Sequence, residues 1–189
     1  MVAKKIMVVL IFSIAMAALE AAVVVYLRSL YYHNGFTVAM KVMDEHILFV
    51  ELIRELATIV MLICVAFLSS TNKMKRFAYF IFSFAVWDIF YYVWLKVFID
   101  WPASIFDWDI LFLIPITWLG PVIAPIICSL TMIALALLII KANKIGFSFY
   151  KWCLLLAGCG CILFTFMQDY ARILIDNDLI EEYPRLLHN

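Results

Sequence analysis

The chain has 189 residues, of which 68% are hydrophobic, and it carries 14 basic against 14 acidic side chains with a mean hydropathy of +1.07. So apolar a composition excludes an ordinary water-soluble domain and points to a polytopic membrane protein. Zero net charge removes the electrostatic basis for a nucleic-acid partner.

Lys4 and Lys5 precede the first apolar run, Ile6 to Leu27. The run is too long for the hydrophobic part of a secretory signal and lacks a convincing cleavage site, so it reads as a retained first span. The second run, Ile47 to Phe67, is long enough to cross a bilayer, yet its first half holds Glu51, Arg54 and Glu55. A charge at membrane depth costs at least about 2 kcal/mol even on lenient insertion scales, so such groups face protein or a watery cavity. The third run, Phe77 to Val97, contains Asp88, and the fifth, Phe147 to Met167, leads into a tail over 168–189.

The fourth run, Ile110 to Ile140, would be about 46 Å long as one helix. Pro115, Gly120, Pro121 and Pro125 interrupt it, and proline removes a donor and clashes with the preceding turn. A kinked helix, or a short outer helix followed by the main crossing, is expected with a break near 115–125. Such a break is tolerated where protein or a cavity satisfies the freed backbone, and it either anchors an interfacial turn through Trp118 or lines a binding cavity. In the loop before it, Ser104 is a candidate helix N-cap.

The predicted fold is therefore an all-α integral membrane bundle of about five transmembrane helices in one domain spanning 1–189. Lys4, Lys5, Lys73, Lys75, Arg76, Lys141, Lys144 and Lys151 fall on one side and Asp44, Glu45, Asp100, Asp107, Asp109 and the acidic tail on the other. The positive-inside bias places the amino terminus in the cytoplasm and the carboxyl terminus outside, in what reads as a prokaryotic plasma membrane. Two segments echo each other: "LEAAVVVYLR" resembles "WDIFYYVWLK", and "DEHILFVE" resembles "DWDILFLI". That pattern suggests a duplicated parallel helical hairpin.

Cys64, Cys128, Cys153, Cys159 and Cys161 all lie in apolar runs and read as small fillers of helix interfaces; Cys159 and Cys161, two apart, point to different sides of a helix. His33, His46 and His188 sit outside or at the edge of those runs with no i,i+4 pair, so haem ligation by two membrane histidines has no support. Most outer-end aromatics read as an interfacial belt; Tyr91 and Tyr92 stand apart as groups able to donate to Asp88 or line an entrance.

A rise of 1.5 Å per residue puts Glu20, Arg54, Glu55 and Asp88 within roughly 7 Å of one level. Glu51 lies one turn further out and shares a face with Glu55 and Thr58. Four carboxylates would then meet one internal guanidinium, since Arg28 and Lys96 are expected to snorkel to the interface. That imbalance calls for bound protons, a metal or a cationic substrate.

The first functional reading is a small transporter, or transporter subunit, with Glu20, Glu51, Glu55 and Asp88 lining a site for a cation or protons, and Arg54, Thr58, Tyr91 and Tyr92 around it. The second is a membrane metalloprotein or oxidoreductase holding a divalent metal cation on the same acids, although the Glu-x-x-His pattern of carboxylate di-iron bundles is absent. The third is an accessory or assembly subunit whose charges pair with another membrane protein or with a second copy of itself. A purely structural network, Arg54 pairing Glu20 or Asp88, competes with all three. No Ser/His/Asp or Cys/His arrangement, zinc hydrolase motif or phosphate-binding loop occurs, so nucleophilic catalysis and nucleotide use have no residue support.

Overall fold

The computed structural model describes residues 2–31, 45–114, 117–142 and 148–175. In chain order these form α1 (Val2–Tyr31), α2 (Glu45–Ser69), α3 (Lys73–Ile99), β1 (Trp108–Phe112), β2 (Trp118–Pro121), α4 (Ile123–Lys141) and α5 (Phe149–Ile175). The chain is an all-α membrane bundle with one small β-hairpin inserted between α3 and α4. By length and composition α1, α3, α4 and α5 are apolar enough to cross a membrane. At 25 residues α2 has the length as well, and it carries Glu51, Arg54 and Glu55 in its first half.

Short, well-capped connections dictate the antiparallel arrangement of α2 and α3. The Asn72 side chain accepts a hydrogen bond from the Lys75 amide (3.1 Å), supplying one of the partners that a helix start lacks. Arg76 donates to the Ser70 carbonyl (2.7 Å), and Lys5 to the Ser69 carbonyl (2.8 Å). The start of α1 and the α2–α3 turn therefore share one end of the bundle, the basic end. Opposite lies the hairpin end. There α3 stops at Asp100 in the left-handed conformation (φ 54°), which aspartate tolerates better than most residues, with its amide bonded to the Lys96 carbonyl (3.1 Å).

The core is built around α3, against which α1, α2 and α4 pack, whereas the α1 and α2 backbones come close at few points and meet mainly through side chains. Alanines at the contacts, Ala17, Ala21, Ala66, Ala78 and Ala136, let the backbones approach, as membrane helix packing favours. Buried hydroxyls are satisfied locally: Ser13 donates to the Val9 carbonyl (2.9 Å) and Ser83 to that of Phe80 (2.9 Å). Trp94 ties α3 to α1 by donating to the Ile14 carbonyl (3.1 Å).

The fourth apolar run is not a kinked helix. Its first third is the antiparallel hairpin, pairing Asp109 with Gly120 and Ile110 with Leu119, with a bulge between Ile110 and Phe112. Proline chemistry accounts for this: Pro121 closes β2, and Pro125 falls in the first turn of α4, where its missing N–H would have had no helical partner. The Val122 and Ile123 amides find the Asp107 (2.9 Å) and Ile105 (2.8 Å) carbonyls instead. Gly120 sits at a close approach, since a Cβ there would stand 3.2 Å from Leu111 Cδ1 and 3.3 Å from Phe166 Cδ1. Phe166 belongs to α5, so the glycine is where that helix meets the hairpin.

Three sequence expectations change. "LEAAVVVYLR" and "WDIFYYVWLK" are both helical, in α1 and α3, but α2 opens within "DEHILFVE" whereas "DWDILFLI" lies in and around β1, so the second half of the internal echo does not extend to secondary structure. Ser104 caps a turn, accepting from the Phe106 amide (3.2 Å), and heads no helix. Cys64, Cys153, Cys159 and Cys161 face outward, and only Cys128 is half-buried, because α3 fills the bundle interior and leaves those faces to the surroundings. His33, His188, Asp44, Pro115, Lys144 and the tail beyond residue 175 lie outside the described residues.

Candidate functional site

The polar residues of α2 are positioned by helical spacing. Glu51 and Glu55 stack one turn apart facing the bundle, with Arg54 between them beside α1. Arg54 makes an ion pair with Glu20 of α1. It also holds Glu51, with Nη2 2.6 Å and Nε 2.8 Å from Oε2. Thr58, one turn below Arg54, donates to the other Glu20 oxygen (3.3 Å). One guanidinium is thus shared by two carboxylates, a trio with net charge −1.

Glu55 does not take part in that trio. Both its carboxylate oxygens accept from the Leu113 amide, at 3.1 and 3.0 Å, so it holds the end of β1 inside the bundle. This amide lies just past the last ladder residue, where the hairpin itself offers no acceptor. Asp88 of α3 accepts from Ser129 of α4 (2.7 Å). Among the described residues no arginine or lysine forms an ion pair with it.

Two groups join the site that sequence reasoning placed elsewhere. Arg28 does not snorkel outward; its guanidinium lies 4.0 Å over the Trp101 ring and 3.5 Å from Asp109 Oδ1. Asp109, expected among the acids of the outer side, is only 3% exposed because β1 folds inward. Burial pushes its carboxyl up to about 6, against the opposing pull of Arg28. The i,i+4,i+8 stacking of Glu20, Val24 and Arg28 was a usable signal for Arg28, since it puts all three on one face. Lys96 behaves as expected, reaching Asp100 (2.8 Å) and the Asp100 and Pro102 carbonyls at the surface.

Glu20, Glu51, Glu55, Asp88 and Asp109 together with Arg28 and Arg54 line one cavity of about 140 Å³, walled by Trp87, Tyr91, Tyr92 and β1 residues up to Leu113. Such a volume is close to that of a cavity that holds benzene, enough for a few waters or one small ion with part of its hydration shell. Five carboxylates face two guanidiniums. Thr58 stands outside this cavity, on the α1–α2 side. His46 is exposed at the start of α2.

The acids are nevertheless not gathered as a metal cage. Among the described residues no three His, Cys, Asp or Glu side chains are grouped so that they could hold a metal ion. The physical reason is visible in the partners: Arg54 separates Glu20 from Glu51, the Leu113 amide occupies Glu55, and Ser129 engages Asp88. No protein-family model matches the chain, nor does any curated protein or solved structure.

Proposed function

We propose that the chain is a small membrane transporter, or a subunit of one, that takes up a cation or protons in the cavity between α1, α2, α3 and β1. The observation that carries this reading is the charge imbalance: three more carboxylates than guanidiniums line one cavity. In a low dielectric that excess is met by protons or by a bound cation, and ionisable groups at membrane depth are the usual mark of an ion or proton path. Asp88 is the centre of the site in this reading, because a neutral hydroxyl is its partner. The remaining acids set the cavity's potential through Arg28 and Arg54. β1, held by Glu55 and Arg28, covers the site on the hairpin side.

Reconstitution into liposomes tests the proposal. With a pH-sensitive dye inside and an imposed Na⁺, K⁺ or Mg²⁺ gradient, wild type should couple cation and proton movement above the rate of empty vesicles. Asp88→Asn should abolish that flux and Glu55→Gln reduce it. Flux equal in protein-containing and empty vesicles for every cation would overturn the reading. Elemental analysis of the same preparation addresses the metalloprotein alternative, for which a stoichiometric, non-exchanging metal is required. The assembly-subunit alternative draws on α5, whose apolar faces are largely unpacked in the monomer. Its signature is a defined copurifying partner without which the protein is inert.

A further inference from the structure

The carboxylate cavity has a neighbour. Because the α1 and α2 backbones lean on α3 and stay apart from one another, a groove runs between them toward the basic end. It has two segments of about 320 and 340 Å³ that meet at Phe12. The first is lined by Ala15, Leu19, Val23, Ala57 and Met61; the second ends at Lys4 and Lys5. From Glu20 to Lys5 along α1 the distance is about 22 Å.

Glu20 and Arg54 line both the groove and the cavity, so their ion pair is the wall between an apolar slot and an acidic chamber. The wall does not repel cations, since Glu20, Arg54 and Glu51 together carry net charge −1. Within the chamber Asp109 is almost wholly buried, and although the Tyr92 hydroxyl lies alongside it, Oδ2 has no well-directed hydrogen bond. A buried carboxylate oxygen in that condition has room for a further donor, from water or from a ligand. The rings of Trp87, Tyr91 and Tyr92 also line the chamber, and aromatic rings favour an ammonium over an anion.

We propose that chamber and groove form one bipartite site for an alkylammonium amphiphile, its compact cationic head among the carboxylates and its tail between α1 and α2, entering sideways from the bilayer past Glu20 and Arg54. This rests on the cation-binding reading and narrows its substrate to a lipophilic amine. Charge complementarity selects the head, and the adjacency of the two volumes, which share Glu20 and Arg54 as lining, selects the tail. A small inorganic ion uses the chamber and leaves the groove to bulk lipid.

The test uses the full chain in nanodiscs of zwitterionic lipid with a hexadecylammonium probe carrying a photoreactive diazirine at mid-chain, read by peptide mapping. Labelling should concentrate on the segments around Ala15–Leu19 and Ala57–Met61. Unlabelled hexadecylammonium should compete about tenfold more strongly than hexadecanol or hexadecanoate, about 1.4 kcal/mol of head recognition. Ala15→Phe and Ala57→Phe, at exposed positions where a larger side chain meets no core, should each abolish groove labelling and spare methylammonium binding to the chamber. Labelling spread evenly over the outward faces of α4 and α5, or equal competition by hexadecanol, would overturn the inference. If methylammonium still binds wild type and is lost in Asp88→Asn, the cation site survives that failure; if methylammonium and inorganic cations all fail to bind, both readings fall.

Discussion

Replacing Arg54 by methionine is the sharpest probe of the bundle's charge arrangement. The side chain of Arg54 is 21% exposed and makes an ion pair with Glu20 and two short contacts, 2.6 and 2.8 Å, with Glu51. Its removal leaves two carboxylates at 10% and 7% exposure facing each other without a cation. Breaking a buried pair from one side costs about 3–5 kcal/mol, because the orphaned charge stays desolvated. Partial exposure of Arg54 and the one hydroxyl left to Glu20, that of Thr58, place the expected loss at the lower end, about 3 kcal/mol. Removing all three charges, as Glu20→Gln, Glu51→Gln and Arg54→Met together, should recover most of it, since a complete ionic cluster exchanged for neutral groups of similar size is often close to neutral in stability. The assay is unfolding in mixed detergent micelles titrated with dodecyl sulfate and followed by tryptophan fluorescence, with wild type, the single and the triple variant compared at equal pH. A single variant within about 1 kcal/mol of wild type, or a triple variant worse than the single, would refute the shared-guanidinium arrangement.

Three other outcomes are expected. Gly120→Ala forces Leu111 and Phe166 to give way, so α5 should lose its seat on the hairpin at a cost of about 1–3 kcal/mol, and Phe166→Leu in the same chain should relieve part of that; unchanged melting of the single variant would contradict the packing. Ser129→Ala strips Asp88 of its hydroxyl donor, and the melting temperature should fall by an amount corresponding to about 1–3 kcal/mol, with Ser129→Thr retaining most of the wild-type value. The pH dependence of stability should carry a contribution from Asp109, whose folded-state carboxyl is raised to about 6 from 3.8. A raised acid binds its proton more tightly when folded, so this contribution is fully present below about pH 4 and is lost as pH rises through 6. Asp109→Asn should remove that slope, and an Asn variant with the wild-type profile between pH 4 and 7 would place the titration elsewhere.

Sequence determined the class of the molecule, because hydrophobic length is a local property: 68% apolar residues in runs of bilayer length permit little else than a helical membrane bundle. Helical periodicity with depth arithmetic also singled out Glu20, Glu51, Arg54, Glu55, Asp88, Tyr91 and Tyr92, and the fold brings all seven to one cavity. Why only tertiary structure decided the rest is clearest at the fourth apolar run. Its prolines announced a break, but whether the freed backbone would kink, cap or pair depended on acceptors far along the chain, among them Glu55 for the Leu113 amide and the Ile105 and Asp107 carbonyls for the start of α4. That fold-back carried Asp109 inward and drew Arg28 after it, changing the charge count of the site by one acid and one base. Spacing along a helix reveals which side chains share a face; it cannot reveal which distant backbone group or counter-ion will meet them, because that is set by the packing of separate elements.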